Sequence, residues 1–242
     1  MNRLVTKRNK LFDRQQGLSL IELMIATVLG LVIVAALTQL FSDVTRVNRE
    51  MAKTNSQIEN ARFAMQLLRT DIVHAGYWGA HVPEFDDIMY RDIPDDVPTL
   101  VPDPCLTFTS WNAAYEEALV GIPVQPYAGS PSATCNALLT DELTANGTDV
   151  LVVRHADTCA AGSTNCAADT SGPLYFQTSN CITELDAGDF YSIDPNSYAL
   201  TERDCVTTAD KRLFVQNIYF IKNNVDGIPS LYRSQFGSSG GA

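Results

Sequence analysis

The stretch Gly17–Phe41 reads GLSLIELMIATVLGLVIVAALTQLF, and its reading decides the fold. After Gly17 come 24 residues with one ionisable side chain, Glu22. A run of that length and apolarity spans a bilayer as a helix. A carboxylate near its start is costly in hydrocarbon and asks for a partner. The stretch is either an ordinary anchor that tolerates one acid, or an anchor in which the acid has a task. An acid inside a membrane segment favours the second reading.

Charge on either side orients the segment. Before it stand Arg3, Lys7, Arg8, Lys10 and Arg14 against Asp13, a net of +4. Residues 77–242 hold 7 basic and 22 acidic side chains, a net of −15. Basic flanks stay cytoplasmic, so the N-terminus is expected inside and the acidic bulk exported. The whole chain has 242 residues, net charge −11 and 45% hydrophobic residues, enough for one domain plus an anchor.

The residues around the junction carry a more specific signal. Gly17-Leu18-Ser19-Leu20-Ile21-Glu22-Leu23, behind a short basic leader, resembles the type IV prepilin signal. A general secretory signal is cut after its apolar region, whereas here the cut would precede it and the helix would stay in the product. The resemblance implies a removable leader, residues 1–17, cleavage by a prepilin peptidase between Gly17 and Leu18, and N-methylation of Leu18. It also implies a role for Glu22. Cleavage would leave a positive α-amine on Leu18, and Glu22, one helical turn on, would offset it in its own chain or in a neighbour.

Beyond residue 41 the helix is expected to continue. Val44, Val47, Met51, Thr54, Ile58, Ala61, Met65, Leu68 and Ile72 recur at alternating steps of three and four, a helical stripe. Arg46, Arg49, Glu50, Lys53, Glu59, Arg62 and Arg69 lie between them. Such a stripe suits a coiled coil or packing on the chain's own domain. The strand-rich sequence that follows favours packing against a sheet. The helix is expected to end near His74-Ala75-Gly76, where Gly76 suits a left-handed position.

The run from Asn60 to Ile72, followed by Ala75-Gly76-Tyr77-Trp78-Gly79, resembles PilW-type minor pilins. A strand Asp149–Arg154 and a Pro229-Ser230-Leu231-Tyr232-Arg233 segment are similar to that family too. The fold implied is α+β and type IV pilin-like: a long N-terminal helix, transmembrane over 18–41 and amphipathic over 42–76, packed on a mainly antiparallel sheet within 77–242. The family continues past the last of these segments with further strands. A naturally short member and a C-terminally truncated chain both stay open.

Residues 83–105 combine Pro83, Pro94, Pro98, Pro102 and Pro104 with Glu84, Asp86, Asp87, Asp92, Asp95, Asp96 and Asp103, a composition read as loop. It lacks the spaced carboxylates of a calcium loop, so a solvated acidic loop is the preferred reading over calcium binding. Ser110–Leu119 reads as a brief helix and Gly121–Pro131 as turns. Asp149–Arg154 is read as the clearest buried strand, ending at His155, and residues 157–172 as loop. Leu174–Thr178 and Phe190–Ile193 read as short strands, and Arg212–Ile221 with Pro229–Arg233 as a hairpin. Tyr77 and Trp78 are read as core aromatics at the helix end.

Six cysteines, Cys105, Cys135, Cys159, Cys166, Cys181 and Cys205, all fall in the exported part. An even count in an oxidising compartment reads as disulfides, with about 15 connectivities open. Pairing of sequence neighbours is the expectation: Cys105–Cys135, Cys159–Cys166 and Cys181–Cys205. No metal site and no cofactor are expected, because the cysteines lack the paired short spacings of zinc ligands. His74, His81 and His155 sit in no catalytic motif, and no nucleophile elbow or phosphate loop occurs, so no enzyme is expected. His74 is read as a last-turn residue and His155 as structural. Direct nucleic-acid binding is not expected from so acidic a domain.

The function implied by the resemblance is a minor pilin that primes type IV pilus assembly, sits at the tip, and supports twitching motility, adhesion or DNA uptake. Its partners would be other minor pilins, the major pilin, the prepilin peptidase and the bacterial inner membrane, with a tip adhesin as a further candidate. Its domain would be periplasmic before assembly and at the cell surface afterwards. A pseudopilin of a type II secretion system shares the leader and helix and is the first alternative. A membrane-tethered periplasmic enzyme is the second.

Overall fold

Leu20–His74 forms a single α-helix of 55 residues, α1. No proline interrupts it, and long aliphatic residues with good helix propensity fill its first half. This was established in a computed structural model, which describes residues 17, 19–83, 97–129, 135, 148–194, 198–223 and 227–236. Among these, α1 is the one helix long and apolar enough to cross a membrane. Its apolar side chains from Leu20 to Phe41 are all exposed, with no cover from their own chain.

The chain divides into two compact units, residues 1–62 and 63–242. The last turns of α1 therefore belong to the second unit. That unit is built on a six-stranded antiparallel sheet: β1 (Val124–Tyr127), β2 (Val150–Ala160), β3 (Tyr175–Thr178), β4 (Tyr191–Ser192), β5 (Lys211–Asn223) and β6 (Pro229–Gln235). The order is β1-β2-β5-β3-β4, with β6 also on β5. β5 is long enough to pair with β2 along one edge and with β3 and then β6 along the other. A second helix, α2 (Ala113–Gly121), starts at Asn112, whose side chain accepts from the Tyr115 N–H at 2.9 Å.

Register sorts side chains onto two faces, because alternate residues point to opposite sides. Ala156 opposite Phe214, Arg154 opposite Gln216 and Val152 opposite Ile218 share one face. There α2 and the helix-exit residue Trp78 complete an apolar cluster with Tyr115, Leu119, Phe176, Phe214 and Phe236. A second cluster, Cys105, Cys135, Val150, Val152, Ile218 and Phe220, lies further along the same strands. The other face shows Leu151 opposite Tyr219, Val153 opposite Asn217 and His155 opposite Val215.

The chain passes between these faces at Gly76. β1 pairs with β2 only as far as Val153. Beyond that point the Gly76 N–H donates to the Arg154 carbonyl at 3.1 Å, and the Ala156 N–H to the Tyr77 carbonyl at 2.7 Å. Residues 76–77 thus take over the edge of β2 where β1 stops. Gly76 has φ +76°, and a Cβ there would stand 3.2 Å from Pro123 Cγ. Left-handed backbone and close approach both require glycine. The expected helix end is therefore found, for the expected reason.

Several expectations need correction. Gly121–Pro131, read as turns, contains β1. Pro126 is tolerated because β1 is an edge strand, where a missing N–H goes unnoticed. β2 does not end at His155 but runs to Ala160, taking in the first residues of the supposed loop. The long apolar stripe does not form a buried seam either: Val44, Val47, Met51, Ile58, Met65 and Ile72 are exposed. The covered side of the last turns is Ala64, Leu67, Leu68, Asp71 and His74. A polar residue, Asp71, lies at its centre, and apolar periodicity cannot register that. Most of the acidic loop, residues 84–96, and its reading for calcium lie outside the described residues.

Burial also holds four tyrosine hydroxyls above their usual range. Tyr198 is pushed up to about 12, chiefly by loss of hydration. Tyr115, Tyr127 and Tyr219 move the same way for the same leading reason. A folded-state pKa above the unfolded value means stability is intact below about pH 10. It falls as pH rises through that value toward about 12. Alkaline titration is expected to show tyrosinate absorbance from these residues arriving together with loss of far-ultraviolet circular dichroism. Ionisation well ahead of unfolding would contradict it.

Candidate functional site

The N-terminal end of α1 is built by its own sequence. Ser19 precedes the helix, and its carbonyl accepts from the Leu23 N–H at 3.1 Å. The Glu22 carboxylate reaches back and accepts from the Ser19 N–H at 3.2 Å. This is the return half of a capping box, in which the third helical residue satisfies the N–H of the cap. Ser19-x-x-Glu22 spells that signature, and sequence reasoning overlooked it while treating Glu22 only as a charge. The carboxylate also lies where the helix dipole is positive. Gly17 is exposed beside this turn. Leu18, expected as the cleavage and methylation residue, lies outside the described residues.

The other end of the helix is fastened to the sheet by a polar contact. Asp71, 8% exposed, accepts through Oδ2 from Asn217 Nδ2 and from the Tyr219 hydroxyl, both on β5. Burial, reinforced by Asp71, raises Tyr219, so its hydroxyl stays a donor across neutral pH. His74, one turn on, lies with its ring 5.9 Å from that of His155 on β2. Trp78 then enters the opposite core, where its indole N–H donates to the Val120 carbonyl at 3.0 Å and its ring packs 4.9 Å from Phe176. Tyr77 and Trp78 are thus core aromatics, as read.

Asp71→Ala is expected to lower stability by about 2–3 kcal/mol, because two buried donors would lose their acceptor. Denaturant unfolding measures the loss. Hydrogen exchange should show residues 64–74 opening first. Unchanged protection there would mean that the carboxylate does not hold the helix end.

The three disulfides are Cys105–Cys135, Cys159–Cys166 and Cys181–Cys205, the pairing of sequence neighbours. Asp103, Cys105 and Cys135 bring three ligand-type atoms within 4.8 Å, but two of the three are the disulfide sulfurs. Metals bind thiolates, so this grouping offers no set of ligands.

The segment leading to Cys105 is held against the sheet. The Pro102 carbonyl accepts from the Tyr127 hydroxyl at 2.8 Å, that of Asp103 from the Tyr115 hydroxyl, and that of Pro104 from Gln216 Nε2 at 2.7 Å. Arg154 lies beneath, fully buried. Its Nε donates to Gln216 Oε1 at 2.7 Å, and its Nη1 to the Ile122 carbonyl and Gln125 Oε1, each at 2.9 Å. Burial pulls its guanidinium down to about 10, so it remains charged at neutral pH.

Residues 12–38 match the family model of the prokaryotic N-terminal methylation motif. The match covers the expected junction at Gly17 and nearly all of the apolar stretch that ends at Phe41. The chain thus carries a type IV pilin-like N-terminal signal on a membrane-capable helix. No curated protein and no solved structure matches the chain.

Proposed function

We propose that this chain is the precursor of a minor pilin of the PilW type. A prepilin peptidase removes residues 1–17, Leu18 becomes the methylated N-terminus, and the helix passes from the inner membrane into a filament of pilins. Other minor pilins and the major pilin are its partners. Its place is the filament tip, where it primes assembly and serves motility, adhesion or DNA uptake. It is not an enzyme. The observation that carries this reading is the methylation motif over residues 12–38, with its acid in the first turn of an apolar helix. The 14 large apolar side chains exposed between Leu20 and Phe41 need lipid or neighbouring helices to cover them, and a filament of packed helices supplies that cover.

Mass spectrometry of the cellular protein tests the reading. N-methyl-Leu18 at the mature N-terminus is expected. A chain still beginning at Met1, in cells with an active leader-processing enzyme, would refute it. The motif serves pseudopilins of type II secretion equally well. Co-purification with minor pilins, rather than with secretion components, separates the two.

Glu22 has a stated task in this reading. In the precursor it satisfies the Ser19 N–H. After cleavage the new α-amine on Leu18 lies one residue away, and an ammonium in hydrocarbon is costly without a counter-charge. Glu22→Ala is expected to leave membrane insertion and cleavage intact while sharply reducing incorporation into filaments. Wild-type recovery of the variant in sheared pili would remove that assignment.

A further inference from the structure

The sheet face that receives α1 carries an excess of lone pairs. His74 Nδ1 lies 2.7 Å from the Thr70 carbonyl, and His155 Nδ1 lies 2.9 Å from the Ala156 carbonyl. A carbonyl has no proton to give, so each ring carries its hydrogen on Nδ1 and donates it there. In the neutral ring each Nε2 is then an acceptor. His155 Nε2 is buried and meets no donor. Asn217, 3% exposed, gives its Nδ2 hydrogen to Asp71, which identifies Oδ1 as the remaining end of the amide. That Oδ1 is buried and unpartnered too.

These groups share one patch. His155 pairs with Val215, and Asn217 is two residues further along β5 on the same face. Asp71 adds a carboxylate one turn before His74. Arg233, a cation in reach of this patch, is engaged with the Tyr219 hydroxyl. Two buried acceptors and a second imidazole nitrogen therefore share this face, with no donor aimed at the orphans. Something electron-poor is called for.

We propose that His74 and His155 form a two-imidazole site for a divalent transition metal of borderline softness, with the Asn217 carbonyl oxygen beside it. Imidazole suits zinc, nickel and copper. A ligating histidine characteristically gives its other N–H to a carbonyl, as both rings do here. Zinc bonded at about 2.0–2.1 Å to both Nε2 atoms sets the ring centroids roughly 5–6 Å apart. The observed separation is 5.9 Å, with the rings tilted by 38°. Asp71 supplies negative potential while its Oδ2 stays committed to β5. A metal here ties the last turn of α1 to β2, so it stabilises the folded state by mass action.

Zinc alone is the probe, added to the full mature chain in detergent. It should raise the thermal midpoint and protect His74, the half-buried ring of the pair, from diethyl pyrocarbonate, read by peptide mass spectrometry on the wild-type chain. His74→Gln and His155→Gln should each weaken zinc binding at least tenfold by calorimetry. His81→Gln should not. Variants are compared only where circular dichroism and all three disulfides are retained, and the protection assay needs no variant. Absence of both a midpoint shift and protection would mean that water satisfies the orphaned acceptors. Unchanged affinity in both glutamine variants would place zinc on other groups. Either result overturns the site.

Discussion

Arg154→Ala should destabilise the domain by roughly 4 kcal/mol. The guanidinium lies between the two apolar clusters, at a β2–β5 pair on that face that is polar on both strands, Arg154 with Gln216. Its loss removes the donors to Gln216 Oε1, Gln125 Oε1 and the Ile122 carbonyl, and leaves a cavity under α2 and β1. Gln216 also holds the Pro104 carbonyl, so the segment before Cys105 loses its support. Arg154→Lys keeps the charge but cannot present Nε and Nη1 in one plane, so it should recover only part of the loss. Equilibrium unfolding in guanidinium chloride, with the disulfides intact, measures both variants. A midpoint for Arg154→Ala within about 1 kcal/mol of wild type would show that this polar seam is not needed.

Removing the Cys105–Cys135 bridge by serine at both positions should cost about 4 kcal/mol, the second large effect. The bridge closes 30 residues, and a loop of that size gains much freedom when opened in the unfolded chain. Both cysteines are fully buried against Val150, Val152, Ile218 and Phe220, so two hydroxyls would also enter an apolar cluster. The Cys159–Cys166 bridge spans only 7 residues at the end of β2, where Cys166 is half-buried, and its double serine variant should lose clearly less. One unfolding series compares the two variants. Equal losses would remove loop size as the cause.

The junction at Gly17, the apolar helix and the stop at Gly76 were legible because each depends on neighbours in sequence. Membrane length is a count of apolar residues, and left-handed backbone selects glycine. The strands around Val150–Val153 and Arg212–Ile221 were legible for a similar reason, being runs rich in β-branched and aromatic residues. β1 was hidden by Pro123 and Pro126, since edge position is known only once the sheet exists.

The polar contacts were not legible. Asp71 reads as a solvated acid in an amphipathic helix, yet Asn217 and Tyr219, nearly 150 residues away, turn that side inward. Arg154 reads as the polar end of an apolar strand, yet it becomes one of the most buried side chains. By itself the sequence determined the methylation-motif signal, the membrane-capable helix that follows it and the pairing of neighbouring cysteines. Only the tertiary structure decided which face of the helix meets the sheet, which histidines become neighbours and where a buried cation is housed. Local periodicity records hydrophobic burial, whereas a buried polar group is stable only through partners that the fold brings from far along the chain.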